Sequence, residues 1–308
     1  MRGSVGPEKR QGGAPERLAR AWARREWRNA RFLISGGIIL CFVVAAVLAP
    51  LLAPYDPLKI FPGQVLKPPS ATHWLGTDEL GRSTLSRLIH GARASLQVAF
   101  LAVAIAAIAG SSLGIVAAYH GGLVDMLVMR AMDLVLCLPM MILTITVVAF
   151  MGSSITNLIL VIGVLYIPGT ARIVYTTALS IKQTQYVQAA QAIGARGWRI
   201  MFRHMLPNVI APLLVHITLS VGFVILTESG LSFLGLGPPP PTPTWGQMIA
   251  VGRNFVHRQP IPLLVPMFAV STVIVALNVL GDALRDILDP RLKGSIRLKT
   301  DVAQRGAG

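Results

Sequence analysis

Charge is scarce in this 308-residue chain: Asp, Glu, Lys and Arg make up 13% of it, against 53% hydrophobic residues. A soluble protein of this length needs more polar surface than that. Acids are scarcer than bases, 13 against 28, which gives a net charge of +15. The basic residues lie between and beside apolar stretches, not together on one polar domain, so nucleic acid is not the expected partner. There are two cysteines, Cys41 and Cys137, both inside apolar stretches and without a second ligand at metal spacing. Neither a disulfide nor a metal site is expected, and both read as small buried apolar residues. The first apolar stretch follows about thirty polar residues and has no small-residue cleavage pattern, so it is expected to stay attached as a span. Also missing are H-E-x-x-H, G-x-S-x-G, a paired Asp within the apolar stretches, and the phosphate loop G-x-x-x-x-G-K-S/T. An intramembrane enzyme and a nucleotide site on this chain are therefore not expected.

What is present is a set of long uncharged runs. Arg31 and Asp56 bracket the first, and Arg93 and Asp125 the second. Asp133 and Arg172 bracket 38 uncharged residues, which as one helix would reach about 57 Å, roughly twice the hydrocarbon thickness. The chain must double back, and Gly152-Ser153-Ser154 is the obvious turn. Arg203 to Glu228 holds a fifth run and Arg258 to Asp282 a sixth. The reading is an all-α membrane protein with six spans, at about 32–54, 95–118, 133–151, 155–172, 208–227 and 262–282. A basic tail, 1–31, precedes them, a loop at 173–207 joins spans four and five, and a second tail follows at 286–308. With six spans both termini share a side. That side carries 21 of the 28 Lys and Arg, so it is expected to be cytoplasmic. The N-terminal tail, with Trp22 and Trp27, reads as an amphipathic helix on the inner leaflet.

Six helices alone fit a channel, a secondary transporter or an assembly factor equally well, so the loops have to choose. The 4–5 loop is too long for a simple connection. Gln185 to Ile193 is rich in Ala and Gln, good helix formers with no strong apolar face. Gly194 breaks it. Ala195 to Met205 resumes a helical pattern with Trp198, Met201, Phe202 and Met205, and Pro207 is expected to stop it before span five. The loop is either a docking helix for a cytoplasmic partner or a helix lying on the inner leaflet with Arg196, Arg199 and Arg203 on lipid phosphates.

In the 1–2 loop, His73-Trp74-Leu75-Gly76-Thr77-Asp78-Glu79-Leu80-Gly81-Arg82 precedes Leu85-Ser86-Arg87. Thr77 is placed to cap a helix whose first turn carries Asp78 and Glu79, with Leu80, Leu85, Leu88 and Ile89 as its apolar side. After span five comes Glu228-Ser229-Gly230-Leu231-Ser232-Phe233-Leu234-Gly235-Leu236-Gly237. Pro238 to Pro241 and Pro243 follow, read as stiff polyproline II, and Trp245 is read as a membrane-interface residue. Glu228 is either a wetted or salt-bridged interfacial acid or a contact for a substrate amine. His216, inside span five, reads as a hydrogen-bonded packing residue without an acidic partner at its depth. Arg285 and Asp289 are four apart and can pair on one helix face.

These strings together resemble one family. Gln188-Ala189-Ala190, three residues, Gly194, nine residues and then His204-x-Leu206-Pro207 is similar to the EAA loop of ABC importer permeases, with Gln188 in place of the usual Glu and His204 in place of Ile. Arg203-His204-x-Leu206-Pro207-Asn208 looks like the peptide-importer branch. The His73–Arg87 string resembles the second ("C-type") permease of dipeptide, oligopeptide and nickel importers, with Ser83 replacing an Asp. The strings at Glu228–Trp245, Gly281–Leu292 and Arg130–Asp133 with Pro139 match the same family. The resemblance covers roughly residues 30 to 293. It implies a type I ABC importer permease fold, a non-catalytic subunit of a bacterial ATP-driven importer in the plasma membrane, and di- or oligopeptides as cargo. The same architecture can carry nickel or haem, and a stand-alone secondary transporter or channel is the rival from another class. The implied partners are a homologous second permease, two ABC ATPases or one fused pair, an extracytoplasmic peptide-binding protein and the bilayer. ATP and Mg would sit on the partner ATPases, with no cofactor on this chain. ATPase coupling falls to Gln188, Ala189, Ala190, Gly194, Leu206 and Pro207. An external gate or substrate side falls to Asp78, Glu79, Arg82, Glu228 and Trp245.

Overall fold

The computed structural model describes residues 30–288. The tail with Trp22 and Trp27 and the Arg285–Asp289 pair fall wholly or partly outside them. The regular structure among the described residues is helical apart from two isolated β-bridges. In order, α1 is Ala30–Val47, α2 Ala49–Leu52, α3 Thr84–His120, α4 Gly122–Leu136, α5 Met140–Met151 and α6 Ile155–Lys182. Then come α7 Gln185–Ala192, α8 Gly197–Ile200, α9 Leu206–Phe233, α10 Trp245–Gly252 and α11 Ile261–Leu288. Five helices are long and apolar enough to cross a bilayer, and the bent pair α4 and α5 raises the count to six.

The third span is not the single helix expected at 133–151. Helix α4 starts at Gly122, and the chain turns by 86° between α4 and α5. The turn falls at Cys137-Leu138-Pro139, where Pro139 has no N–H to continue the ladder and bars its predecessor from helical geometry. Helix α4 buries none of its residues. Two polar contacts hold it on α6: Tyr175 Oη donates to Asp125 (2.8 Å) and Arg172 Nη2 to Asp133 (2.7 Å). Cys41 and Cys137 are exposed, contrary to the expectation of burial. The apolar runs that hold them face outward from this chain, where a membrane protein meets lipid or another subunit.

Helices α3 and α6 form the most extensive pair. Ala102, Ala106, Gly110 and Gly114 recur every four residues on α3, and all are buried. A Cβ on Gly114 would lie 2.6 Å from the Ala171 carbonyl oxygen, and one on Gly110 2.8 Å from Thr170 Cβ. Small residues on one stripe are what let two backbones approach this closely in a bilayer. Around the pair, α9 packs on α11 and α3, and α1 on α11 and α3. Val98, Ala99, Leu158, Ile162, Val224 and Val273 form the main core. A second core gathers Ile115, Ala118, Val174, Ala178, Ile200 and Val209 at the far end of α3.

Gly152 closes the 3–4 turn at φ +84, and the Ser154 hydroxyl caps α6 by accepting from Asn157 N at 3.0 Å. Pro207 does not end a helix as expected. It falls in the first turn of α9 and the chain is helical from Gly197 to Phe233. A π-helical turn at Met201–Met205 precedes it, and the widened turn accommodates the missing N–H. Pro238 to Pro243 turn rather than run straight as polyproline II, with the Pro240-Pro241 bond cis.

Candidate functional site

Two sites lie at opposite ends of α3, whose 37 residues span about 55 Å.

The first is α7. Val187 and Ala190 are buried, Val187 in the second core, while Gln185, Gln188, Ala189, Gln191 and Ala192 face outward. Its end is a Schellman turn: Ala195 N donates to the Ala190 carbonyl and Gly194 N to the Gln191 carbonyl, both at 3.0 Å. That turn needs a left-handed residue, and Gly194 supplies φ +77. Ile193, just before it, is 85% exposed, an apolar tip on a helix whose exposed side chains, apart from Tyr186, are alanine and glutamine. Leu206 is half-buried and Pro207 exposed. Asn208 follows, its amide donating to the His204 carbonyl (2.7 Å) and to Tyr186 Oη (3.2 Å), which fixes the start of α9 to α7. The structure therefore brings Gln188, Ala189, Ala190, Gly194, Leu206 and Pro207 into one module: a small-residue helix on a firm base, with one face uncovered. Beside it a groove of about 630 Å³ opens between α6, α9 and α11, lined in part by Thr177, Ser180, Pro207, Asn208 and Arg285.

The second site is the opposite end. Asp78 and Glu79 do not open a helix. They sit in a turn, and α3 begins at Thr84 with Ser83 as its cap. Asp78 is buried, and its Oδ1 accepts from the backbone N–H groups of Arg82 (2.8 Å) and Leu80 (2.9 Å). Its Oδ2 pairs with Arg82 Nε (2.7 Å) and Arg87 Nε (3.3 Å), and Arg82 Nη2 pairs with Glu79 (2.7 Å). Thr77 and Ser83 pair across this turn in an isolated antiparallel bridge. Thr77, fully buried, donates to the Gln64 carbonyl and accepts from Lys67 N. Burial, and then the Asp78 charge, push the Glu79 carboxyl above the ordinary range, with Arg82 and Arg87 pulling the other way. Leu80 is exposed on the turn rather than on an apolar helix face.

Glu228 and Trp245 are both fully buried, so Trp245 is not an interface residue and Glu228 is neither wetted nor salt-bridged among the described residues. Ser232 Oγ donates to Glu228 (2.7 Å), and Ser229 and Ser95 also reach its carboxyl. Trp245 N donates to Ser95 Oγ (3.4 Å), and its indole N–H to the Leu88 carbonyl (3.1 Å). Gly246 lies so close to α9 that a Cβ would be 2.4 Å from the Ser229 carbonyl. One serine thus links α3, α9 and α10, a link that depends on three segments far apart in the chain. The cavity between the Asp78 cluster and α10 is about 20 Å³, too small for a peptide. His216 bonds Thr170 (3.3 Å) and Ser220 (3.4 Å), as a packing residue would. Among the described residues no group of His, Cys, Asp or Glu is placed to hold a metal.

Residues 110–294, more than half the chain, match the family model of the binding-protein-dependent transport system inner membrane component. Residues 17–69 match the N-terminal transmembrane domain of oligopeptide transport permease C. The dipeptide transport system permease protein DppC of Alkalihalophilus pseudofirmus is 41% identical over 266 residues, 86% of this chain and 88% of that protein. The di/tripeptide transport system permease protein DppC of Pseudomonas aeruginosa is 41% identical over 268 residues, 84% and 88%. The glutathione transport system permease protein GsiD of Pectobacterium atrosepticum is 38% identical over 275 residues, 89% and 91%. Among solved structures, a chain of the MetNI methionine ABC transporter in inward-facing conformations superposes with a TM-score of 0.56 at 16% identity, over 66% of this chain and 96% of that one. That likeness shows the fold, that of type I ABC importer permeases. The chain belongs to the binding-protein-dependent ABC transport permeases, in the branch of C-type subunits of dipeptide and oligopeptide systems.

Proposed function

We propose that this chain is a pore-forming subunit of a bacterial ATP-driven importer of di- and oligopeptides in the plasma membrane, moved by partner ATPases through α7. The observation that carries this is α7 itself: a short helix anchored by Val187 and Ala190, ended by Gly194, with its other face uncovered. Small side chains let such a helix lie shallowly in another protein's groove. The charge bias supports a cytoplasmic side for α7 and both termini. Its socket would belong to one of two ABC ATPases, or of one fused pair, which carry the ATP and Mg. A homologous second permease completes the pore, since one copy of six spans leaves α4 uncovered. A peptide-binding protein delivers cargo to the outer loops. The cargo class rests on the relatives, whose names run from dipeptide to glutathione systems. Asp78, Glu79, Arg82, Glu228 and Trp245 frame the external gate rather than touch peptide, because their polar atoms are spent on one another and on Ser95, Ser229, Ser232 and Leu88.

ATP-driven closure of the ATPases would shift α7, and α6 and α9, which enter and leave it, would pass the shift to the pore. The test has two parts. A tagged chain expressed with its neighbouring transport genes should purify with two ATPase subunits and a second permease. A strain deleted for the chain should lose uptake of labelled peptides and keep uptake of haem and nickel. A chain that transports in vesicles on its own contradicts the proposal, and loss of haem or nickel uptake alone contradicts the cargo.

A further inference from the structure

The connection from α6 to α9 is fastened at both ends to one residue on a third helix. Lys182 is the last residue of α6, immediately before the Gln183-Thr184 break that leads into α7. Its Nζ crosses to the end of α3 and donates to the Tyr119 carbonyl at 2.7 Å and the Ala118 carbonyl at 3.1 Å. These carbonyls belong to the last turn of α3, which has no further helical N–H to satisfy them. An ammonium there also complements the negative end of the helix dipole. The same Nζ lies 5.9 Å from the centre of the Tyr119 ring. At the other end of the connection, Gly197 opens α8, and its Cα rests on the Tyr119 phenol: a Cβ there would be 2.8 Å from Tyr119 Oη. Between the two fastenings, Val187 of α7 sits in the core that Ile115 and Ala118 of α3 help to build.

We infer that Lys182, Tyr119 and Gly197 form a joint that ties α7 to the end of α3, so that displacement of α7 moves α3 as a rod. The inference rests on the proposed docking of α7 and adds the positioning residues that make docking productive. A free connection of this length would let α7 swing while the spans stood still. Pinning its entrance and its exit to the same tyrosine removes that freedom. Helix α3 is the right recipient. It runs for 37 residues, its glycine and alanine stripe is locked on α6, and its other end carries Arg87, paired to Asp78, and Ser95, bonded to Trp245. The joint therefore lies on a continuous route from α7 to the outer cluster.

The test uses the complete importer in proteoliposomes, reading ATP hydrolysed per peptide taken up. Lys182→Met removes both carbonyl bonds and should raise that ratio about tenfold, a loss of coupling of ordinary allosteric size. Lys182→Arg, which can reach both carbonyls, should stay within about twofold of the wild type. A merely structural lysine would change the amount of assembled complex in both variants and the ratio in neither. Should Lys182→Met fail to assemble, Gly197→Ala carries the same test, because its methyl group presses on the phenol, and the ratio should again rise. If the wild-type chain assembles with its ATPases and these variants keep the wild-type ratio, the joint is wrong and the proposed function stands. If the wild-type chain brings down no ATPase, the proposed function falls and the joint with it.

Discussion

Gly194 is left-handed at φ +77, and nothing lies within 4 Å of where its Cβ would be. The need for glycine is thus set by the backbone and not by room inside this chain, and a side chain there costs about 1–2 kcal/mol whatever its size. Asn tolerates that conformation best among the others. Gly194→Ala and Gly194→Trp should therefore impair uptake to a similar degree, with Gly194→Asn retaining most of it; normal uptake by the Ala variant beside a dead Trp variant would instead point to a steric socket. Glu79 gives a pH dependence. Its carboxyl, raised by burial and Asp78, binds a proton more tightly folded than unfolded. Its contribution to stability is complete below the ordinary carboxylate range and is lost as pH rises through the raised value. Thermal melts of the purified complex from that range up to neutrality should show a loss that Glu79→Gln flattens.

At the scale of the helix, the stripe Ala102, Ala106, Gly110, Gly114 decides how α3 and α6 meet. Gly114→Leu forces the helices apart at the Ala171 carbonyl and should destabilise the permease by about 1–3 kcal/mol or more, seen as a lower melting temperature. Gly36→Ala on α1, with open space around it, should leave melting unchanged or raise it slightly. The stripe stands in plain view in the sequence at a spacing of four, but hydropathy counts glycine and alanine as filler and passes over it. The same kind of gap explains the span ends. Charges mark where hydrocarbon stops, not where a helix stops, so α3 begins at Thr84 and α6 runs to Lys182, beyond the uncharged runs that announce them. The turn at Gly152 and the short helix before Gly194 were legible because glycine at a positive φ leaves a local mark. Pro207 misled because proline in a first turn and proline after a last turn look alike in one dimension. Trp245 and Glu228 misled because their burial is made by segments far apart in the chain, Ser95 and Leu88 on α3 and Ser229 and Ser232 on α9, and no local pattern reports such a meeting.

Across the whole molecule, one helix of 37 residues joins the α7 end, proposed to be grasped by an ATPase, to the Asp78 and Trp245 end, proposed to frame the external gate. Trp245 packs at the centre of that far end, fully buried, edge-on to Phe42 at 5.8 Å and bonded to Leu88. Trp245→Ala should cost about 3–5 kcal/mol and loosen the outer end, read as faster proteolysis in the 1–2 loop, while α7 still binds its ATPase. The central claim, that force enters this chain through α7, has a direct measurement. A photo-crosslinking side chain at Gln188 or Ala189, with a matched control at Leu80 on the opposite end, can be activated in the intact importer. Capture of an ATPase subunit from α7 and not from Leu80 is the expected result. No capture from α7 in a complex that still transports peptide would contradict it.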